Sequence, residues 1–300
     1  MKIVIIGSGT QGKKRKKLIK KKLFYSFVDN KKKNLDFKKI EDVPIDKFDT
    51  AFICIPDKEK EKVIQYLLKN KKNILVEKPL LLKKNNFNFL QNKINKKKIF
   101  FYTAYNHRFE PNIIRVKNFI KKNFLGKIYY CKLFYGNGTS NLVKNSPWKD
   151  KNNGVISDLF PHMIDMLIFW FGPRIINSKL MLKNKFENKS SDYASAIIKY
   201  KNFFSIIEGS YCMWKNSFTC EIVGEKGSIH MNDFCKWGTS LLEIRKRVLP
   251  SGRPKIKKYI EKKPDPTWLK EHNFFLNCIN KKTKVDLHRD HLISKIINEL

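Results

Sequence analysis

The sequence predicts an α/β protein in two parts: a doubly wound parallel sheet over residues 1–118, and an α+β domain with an open, largely antiparallel sheet over 119–300. Three observations predict it. Up to about residue 118, short apolar runs alternate with longer amphipathic ones, the pattern of strands joined by crossover helices. Beyond Gly126 the apolar runs follow one another directly, separated by turn residues, as in antiparallel hairpins. One long apolar helical segment, 155–171, closed by Gly172-Pro173, interrupts them.

The first run, Ile3-Val4-Ile5-Ile6, is a fully apolar strand that leads straight into Gly7-Ser8-Gly9-Thr10-Gln11-Gly12. A helix is expected over 11–23, although its apolar stripe of Leu18, Ile19 and Leu23 is thin, and then a strand from Phe24 to Val28 ending at Asp29. Strand, G-x-G-x-x-G, helix, strand and acidic residue together form the dinucleotide fingerprint in its required context, a Rossmann unit. Gly7 permits the tight turn, Gly9 lets a pyrophosphate approach the backbone, and Gly12 lets helix and sheet pack closely. Thr10 and Gln11 open the helix, whose unpaired N–H groups and positive dipole end suit phosphates. Asp29, seventeen residues beyond Gly12, can accept hydrogen bonds from the adenosine ribose and repels a 2′-phosphate. NAD is therefore the expected cofactor; Lys31, Lys32 and Lys33 could neutralise a phosphate and leave NADP open.

The alternation continues with a strand from Phe48 to Ile55 stopped by Pro56, a helix over 57–70 with Val63, Ile64, Leu67 and Leu68 on one face, and the short strand Ile74-Leu75-Val76. That strand ends in Glu77-Lys78-Pro79, which puts a lysine at the carboxyl end of a parallel strand, where open α/β sheets bind ligands. A helix over 83–97, a strand from Ile99 to Tyr102 and a helix over 111–122 complete this half. In the second half strands are expected at 128–135, 175–182, 192–200, 203–211, 217–223, 227–231 and 240–249. A polar loop containing Pro147-Trp148 follows the first of them, and Tyr200 to Phe203 reads as a hairpin tip. Residues 250–266, rich in Pro and Lys, read as a surface excursion before helices at 267–280 and 288–299.

Composition narrows the function. The net charge is +36, yet only eight of the 63 basic residues are Arg and the lysines are spread along the whole chain. Nucleic-acid readers concentrate Arg for its bidentate grip, so no specific nucleic-acid partner is expected, only salt-sensitive polyanion binding. Six cysteines in no C-x-x-C pair, with no histidine at metal-finger spacing, read as reduced thiols without a metal site. No signal peptide or membrane span is expected, since the 155–171 stretch carries Asp158, His162 and Asp165. These features describe a soluble, cytoplasmic protein.

Asp158 and His162 stand four residues apart in a helical segment and so share a face, with Pro161 either in a first turn or at a kink. A carboxylate and an imidazole so placed are a candidate catalytic pair. Taken together, the glycine turn, Glu77-Lys78-Pro79, Tyr105-Asn106-His107-Arg108-Phe109-Glu110-Pro111 and Gly154…Asp158-x-x-x-His162-x-x-Asp165 resemble the Gfo/Idh/MocA oxidoreductases, as does Gly224-Glu225-Lys226-Gly227 more loosely. The resemblance covers nearly the whole chain. It implies hydride transfer between a nicotinamide cofactor and a sugar, cyclitol or nucleotide sugar, and a homo-oligomer formed through the C-terminal sheet. It also implies an active site lined by Lys78, Asp158 and His162, a cis Lys78–Pro79 bond, Pro56, Glu77 and Lys78 beside the cofactor, and Tyr105 and Arg108 beside the substrate. Two departures bear on the substrate. Lys60 stands where the family often has a histidine, and Phe160, where it usually has glycine, narrows the space for a ligand.

Oxidising an alcohol needs a base for the hydroxyl proton. An imidazole, near ~6.5, serves without tuning, whereas an ordinary lysine near ~10.4 does not. His162 is therefore the expected proton acceptor and donor, Lys78 the polariser of the reacting oxygen, and Asp158 the group that positions hydroxyl or imidazole. Two other functions share these residues: a glycosidase of the same fold that uses bound NAD transiently, and a non-catalytic cofactor- or sugar-binding protein. The lysine excess suits an anionic ligand, such as a nucleotide sugar of surface-polysaccharide synthesis.

Overall fold

The computed structural model describes residues 1–32, 34–147, 149–150, 153–262 and 264–300; Lys33 and Trp148, named above, lie outside the described residues. The chain divides into two units, Met1–Asn106 with Thr267–Ser294, and His107–Pro266 with Lys295–Leu300.

The first unit alternates strand and helix: β1 (Ile3–Ile6), α1 (Thr10–Leu18), β2 (Phe24–Val28), β3 (Thr50–Ile53), α2 (Asp57–Lys69), β4 (Asn73–Glu77), α3 (Lys84–Lys97) and β5 (Phe101–Ala104). The strands form a parallel sheet in the order β2-β1-β3-β4-β5. All of β1, β3 and β5 is buried, which is why these strands are continuous apolar runs rather than alternating ones. Two boundaries differ from expectation. Helix α1 ends at Leu18, not 23: Ile19 turns extended and buries its side chain, and Lys21–Leu23 form a separate 3₁₀ turn. Strand β5 starts at Phe101, not Ile99. Lys98 adopts the left-handed conformation (φ 53°) and the Ile99 N–H donates to the Ile94 carbonyl, so these residues close α3 instead.

The second unit contains α4 (Pro111–Lys121), β6 (Ile128–Gly136), α5 (Ser140–Lys144), α6 (Val155–Asp158), α7 (Phe160–Phe171), β7 (Ile175–Asn184), β8 (Tyr193–Tyr200), β9 (Phe204–Ser210), β10 (Ser217–Gly224), β11 (Gly227–Asn232), β12 (Ser240–Lys246) and β13 (Ile256–Glu261). Its sheet runs β13-β12-β11-β10-β6-β9-β8-β7 and is antiparallel except for the parallel β6–β9 pair. Helix α7 is buried almost all round: Phe160 meets Gly209 of β9, and the Trp170 indole N–H donates to the Ile113 carbonyl of α4 at 3.1 Å.

The expected helix over 155–171 is two helices that meet at Leu159. Pro161 sits in the first turn of α7, where its missing N–H costs nothing. The excursion expected over 250–266 contains β13, paired antiparallel with β12. Its Lys-rich sequence hides an edge strand, and charges of that kind are how exposed edges are kept from pairing further. The short α5 was not expected either; it begins at Ser140 within a polar segment.

Helices α8 (Thr267–Asn280) and α9 (His288–Glu299) close the chain. Helix α8 belongs to the first unit, where Phe275 packs edge-on to Phe52 and against Phe100, each with ring centroids 5.5 Å apart. In α9, Ser294 ties the first unit together by donating to the Leu82 carbonyl at 2.9 Å. Among the described residues no helix is long and apolar enough to cross a membrane.

Candidate active site

The glycine turn shows what each glycine is for. Gly7 has φ +97° and an added Cβ would lie 2.4 Å from the Cys54 carbonyl oxygen; at Gly12 it would lie 1.9 Å from the Gly7 carbonyl oxygen. Both are therefore required by the turn itself. At Gly9 a Cβ would meet nothing within 4 Å. Gly9, Thr10 and Gln11 are exposed at the start of α1, which has no side-chain cap. The helix thus presents unpartnered N–H groups beside an open space that the protein's own packing does not use. A pyrophosphate fits that arrangement.

Asp29 closes the other side of the turn. Its Oδ2 accepts from the Ser8 N–H (2.8 Å) and the Ser8 hydroxyl (2.7 Å), and its Oδ1 from the Lys31 N–H (2.9 Å). Partial burial works against ionisation, but these bonds and the Lys32 charge outweigh it and hold the carboxyl below its ordinary range. It is a fixed anion at the end of β2, beside the glycines.

Pro56 precedes α2, and Glu77 and Lys78 end β4; the Lys78–Pro79 bond is cis. Glu77 is bound by the fully buried Arg15 (Nε–Oε1, 2.8 Å), whose Nη2 lies 2.7 Å from Glu271 and whose guanidinium covers the Trp268 ring. Burial opposes the Arg15 charge, but the two carboxylates more than compensate. Glu271 itself is raised to about 7, chiefly by burial and against the pull of Arg15. The network fixes Glu77 from beneath the turn.

Lys60 is the residue sequence reasoning undervalued. It is buried, and its ammonium donates to the Glu77 carbonyl (2.6 Å) and the Pro79 carbonyl (2.7 Å), with the Asp57 carboxylate at 2.6 Å. Burial lowers its pKa, while Asp57 and Glu77 oppose that effect. All three ammonium protons thus tie α2 to the backbone on both sides of Lys78. The signal was its position one turn into α2, on the same face as Ile64 and Leu67. Tyr105, also in this unit, is 1% exposed, with the Arg289 guanidinium 4.9 Å from its ring centroid.

In the second unit Asp158 ends α6 and His162 lies in the first turn of α7. Asp158 accepts from the Tyr211 hydroxyl at 3.3 Å; burial, and then the Asp158 charge, push that phenol well up. His162 stacks on His107 with centroids 4.1 Å apart and planes 23° apart. The His107 Nε2 contacts the Lys236 ammonium at 2.8 Å, and Lys236 also lies over the Trp237 ring at 4.4 Å. Arg108 binds Asp165, one turn beyond His162, at 2.6 Å. Phe160, expected to narrow the ligand space, is fully buried with its ring against Gly209 of the sheet. His107, Lys236 and Tyr211 were not singled out beforehand. His107 adjoins a quoted motif, but Lys236 and Tyr211 reach this place only through the sheet.

Two family models match the chain. Residues 1–105 match the one described as oxidoreductase family, NAD-binding Rossmann fold, and residues 113–230 match the GFO/IDH/MocA C-terminal domain. The chain belongs to the Gfo/Idh/MocA oxidoreductase family. Its first unit is accordingly the family's NAD-binding unit, in agreement with the glycine turn. Among curated relatives it is similar to glucose-6-phosphate 3-dehydrogenase of Bacillus subtilis (strain 168), with 26% identity over 183 residues, 56% of this chain and 52% of that protein. The chain spans about half the length of the curated relatives it matches. Its fold is that of levoglucosan dehydrogenase in complex with NADH (TM-score 0.81, 16% identity, covering 100% of this chain and 96% of that one). It is also that of UDP-N-acetylglucosamine 3-dehydrogenase from Acidithiobacillus ferrooxidans (TM-score 0.81, 16% identity, 99% and 96%).

Proposed function

We propose that the chain is an NAD-dependent dehydrogenase that moves hydride between the cofactor and a hydroxyl or carbonyl carbon of a sugar, cyclitol or nucleotide sugar. Bound NAD would supply the hydride acceptor or donor. The Gly9–Gly12 turn would hold its pyrophosphate and Asp29 its ribose. Lys78 would hold the reacting oxygen and stabilise its charge, while His162 exchanges the hydroxyl proton at an imidazole nitrogen. Asp158, steadied by Tyr211, would orient the hydroxyl or the imidazole, and Arg108 with Tyr105 would complete the substrate site.

The observation that carries this reading is the Gly9 turn, open only to an external group, in the same chain as the Asp158–His162 pair on successive helices. Two of the relatives are named for sugars that bear phosphate. With a net charge of +36 they favour an anionic substrate, of which a nucleotide sugar for surface-polysaccharide synthesis is one. Exposed Ile176, Met181, Phe204 and Ile260 on the C-terminal sheet support a homo-oligomer formed there.

The test is net NADH formation with a panel of nucleotide sugars, aldoses, sugar phosphates and cyclitols, followed by pH–rate profiles of Lys78→Met and His162→Asn. Both variants should lose at least about a hundredfold in kcat, the usual scale of positioned acid–base catalysis. Near-wild-type turnover of His162→Asn overturns its assignment, and glycoside cleavage without net NADH overturns the dehydrogenase reading.

A further inference from the structure

The exit of β12 carries a feature that the proposed reaction does not use. Three of the chain's eight arginines, Arg245, Arg247 and Arg253, fall within nine residues, in a protein whose basic residues are otherwise overwhelmingly lysine. Between Glu243 and Glu261 stand seven basic residues and no acidic one. A bias acting on the whole sequence explains lysines everywhere. It does not explain a local concentration of the rarer cation, the one whose planar fork grips phosphate in two places.

The fold gives this segment a concave shape. A cavity of about 540 Å³ opens between the ends of β10, β11 and β12 and the loop that follows β12. That volume lies in the range of small-molecule sites, roughly 300–1,000 Å³. Arg245, Lys246 and Arg247 line it together with the hydroxyl residues Ser228 and Ser251 and the half-exposed Tyr129 ring; no Asp or Glu lines it among the described residues. The cations are held rather than loose. Arg247 receives the Lys226 carbonyl at its N–H (2.9 Å) and donates from Nη1 to the Glu225 carbonyl (3.2 Å), and Arg245 pairs with Glu243 at 2.7 Å. Pro250 and Pro254 restrict the loop, and Gly252 folds back so closely that a Cβ would lie 2.8 Å from Val248. Little ordering remains for a ligand to impose.

We propose that this cavity is a second ligand site of the C-terminal unit, for a small phosphate- or diphosphate-bearing molecule. Arg247 and Lys246 bind the phosphate oxygens, Ser228 and Ser251 accept or donate at its edge, and Tyr129 covers the organic part. The site belongs to the second unit alone and does not depend on the dehydrogenase reading.

Calorimetric titration of the whole chain with inorganic pyrophosphate, at saturating NAD so that the glycine turn is blocked, tests it. The wild type should bind pyrophosphate, more weakly as NaCl screens the cations. Lys246→Ala/Arg247→Ala should bind about tenfold or more weakly, having lost two charge-assisted contacts. Its melting temperature should not change, because both side chains are exposed. No binding by the wild type, or equal binding by the double variant, overturns the proposal. So does a single-stranded oligonucleotide that binds more tightly than pyrophosphate and is lost in the double variant, which would make this face a polyanion surface.

Discussion

Replacing Gly9 with alanine separates what the glycine turn does for the fold from what it does for the cofactor. Gly9 has φ −70° and ψ −166°, extended backbone that alanine adopts freely, and the new methyl meets nothing within 4 Å. Two small effects then oppose each other. Alanine is a poorer helix cap than glycine by about 0.5–1 kcal/mol, and losing glycine's freedom in the unfolded chain returns about 0.4–1 kcal/mol. Stability should therefore stay within about 1 kcal/mol, a melting shift below about 4 °C. Cofactor affinity should not. A methyl in the space a pyrophosphate would take moves the phosphate outward by about 1 Å, enough to stretch an N–H···O contact beyond bonding range. Losing one such bond to a charged group costs about 1.5–3 kcal/mol, or roughly 10- to 150-fold in Kd. Differential scanning fluorimetry and NADH-fluorescence titration read the two quantities on one preparation. Gly12→Ala is the control: its Cβ would lie 1.9 Å from the Gly7 carbonyl oxygen, so it should lose stability as well as binding. Unchanged NADH affinity in Gly9→Ala would refute the reasoning.

Lys60→Met removes the ammonium that holds the Glu77 and Pro79 carbonyls and leaves those acceptors buried. It should cost about 2–4 kcal/mol in urea denaturation and lower kcat by more than KM rises, while Lys60→Arg recovers part of the stability. Glu271 provides a pH test. Its folded pKa of about 7 lies above its ordinary 4.5, so the protein binds that proton more tightly when folded. That contribution is complete below about pH 4.5 and is lost as pH rises to 7, roughly 3 kcal/mol in all. His272 acts in the opposite sense: burial, and then Arg15, hold it down at about 4, so its contribution is lost as pH falls from 6.5 toward 4. Glu271→Gln should remove the decline between pH 5 and 8; an identical slope in wild type and variant would contradict the assignment. Tyr211→Phe should change stability by about 1 kcal/mol or less, one hydrogen bond's worth, yet lower kcat/KM through the loosened Asp158. An unchanged kcat/KM would show that Tyr211 does not steady it.

Much of the site was legible because its parts are local. Ile3–Ile6, the three glycines and Asp29 lie within 29 residues, and each announces its backbone requirement in its residue type. The Asp158–His162 spacing was visible too, although the break at Leu159 was not, since Pro161 fits a first turn as well as a kink. Strand β13 was hidden because an edge strand with both faces near solvent has no apolar pattern strong enough to stand out from its lysines. Lys60 was read as a substitution for another residue, whereas its three partners come from a different strand end and from its own helix.

By itself the sequence determined the class of fold, the dinucleotide turn and the residue types of the candidate site, because periodicity, glycine stereochemistry and helical spacing act over a few residues. Tertiary structure decided what depends on distant partners. It placed Phe275 of α8 in the core of the first unit, set Lys60 under the Glu77–Pro79 backbone, stacked His107 on His162, and gathered the β12 arginines around a cavity. Packing and strand register bring such groups together, and no pattern along the chain encodes which of them will meet.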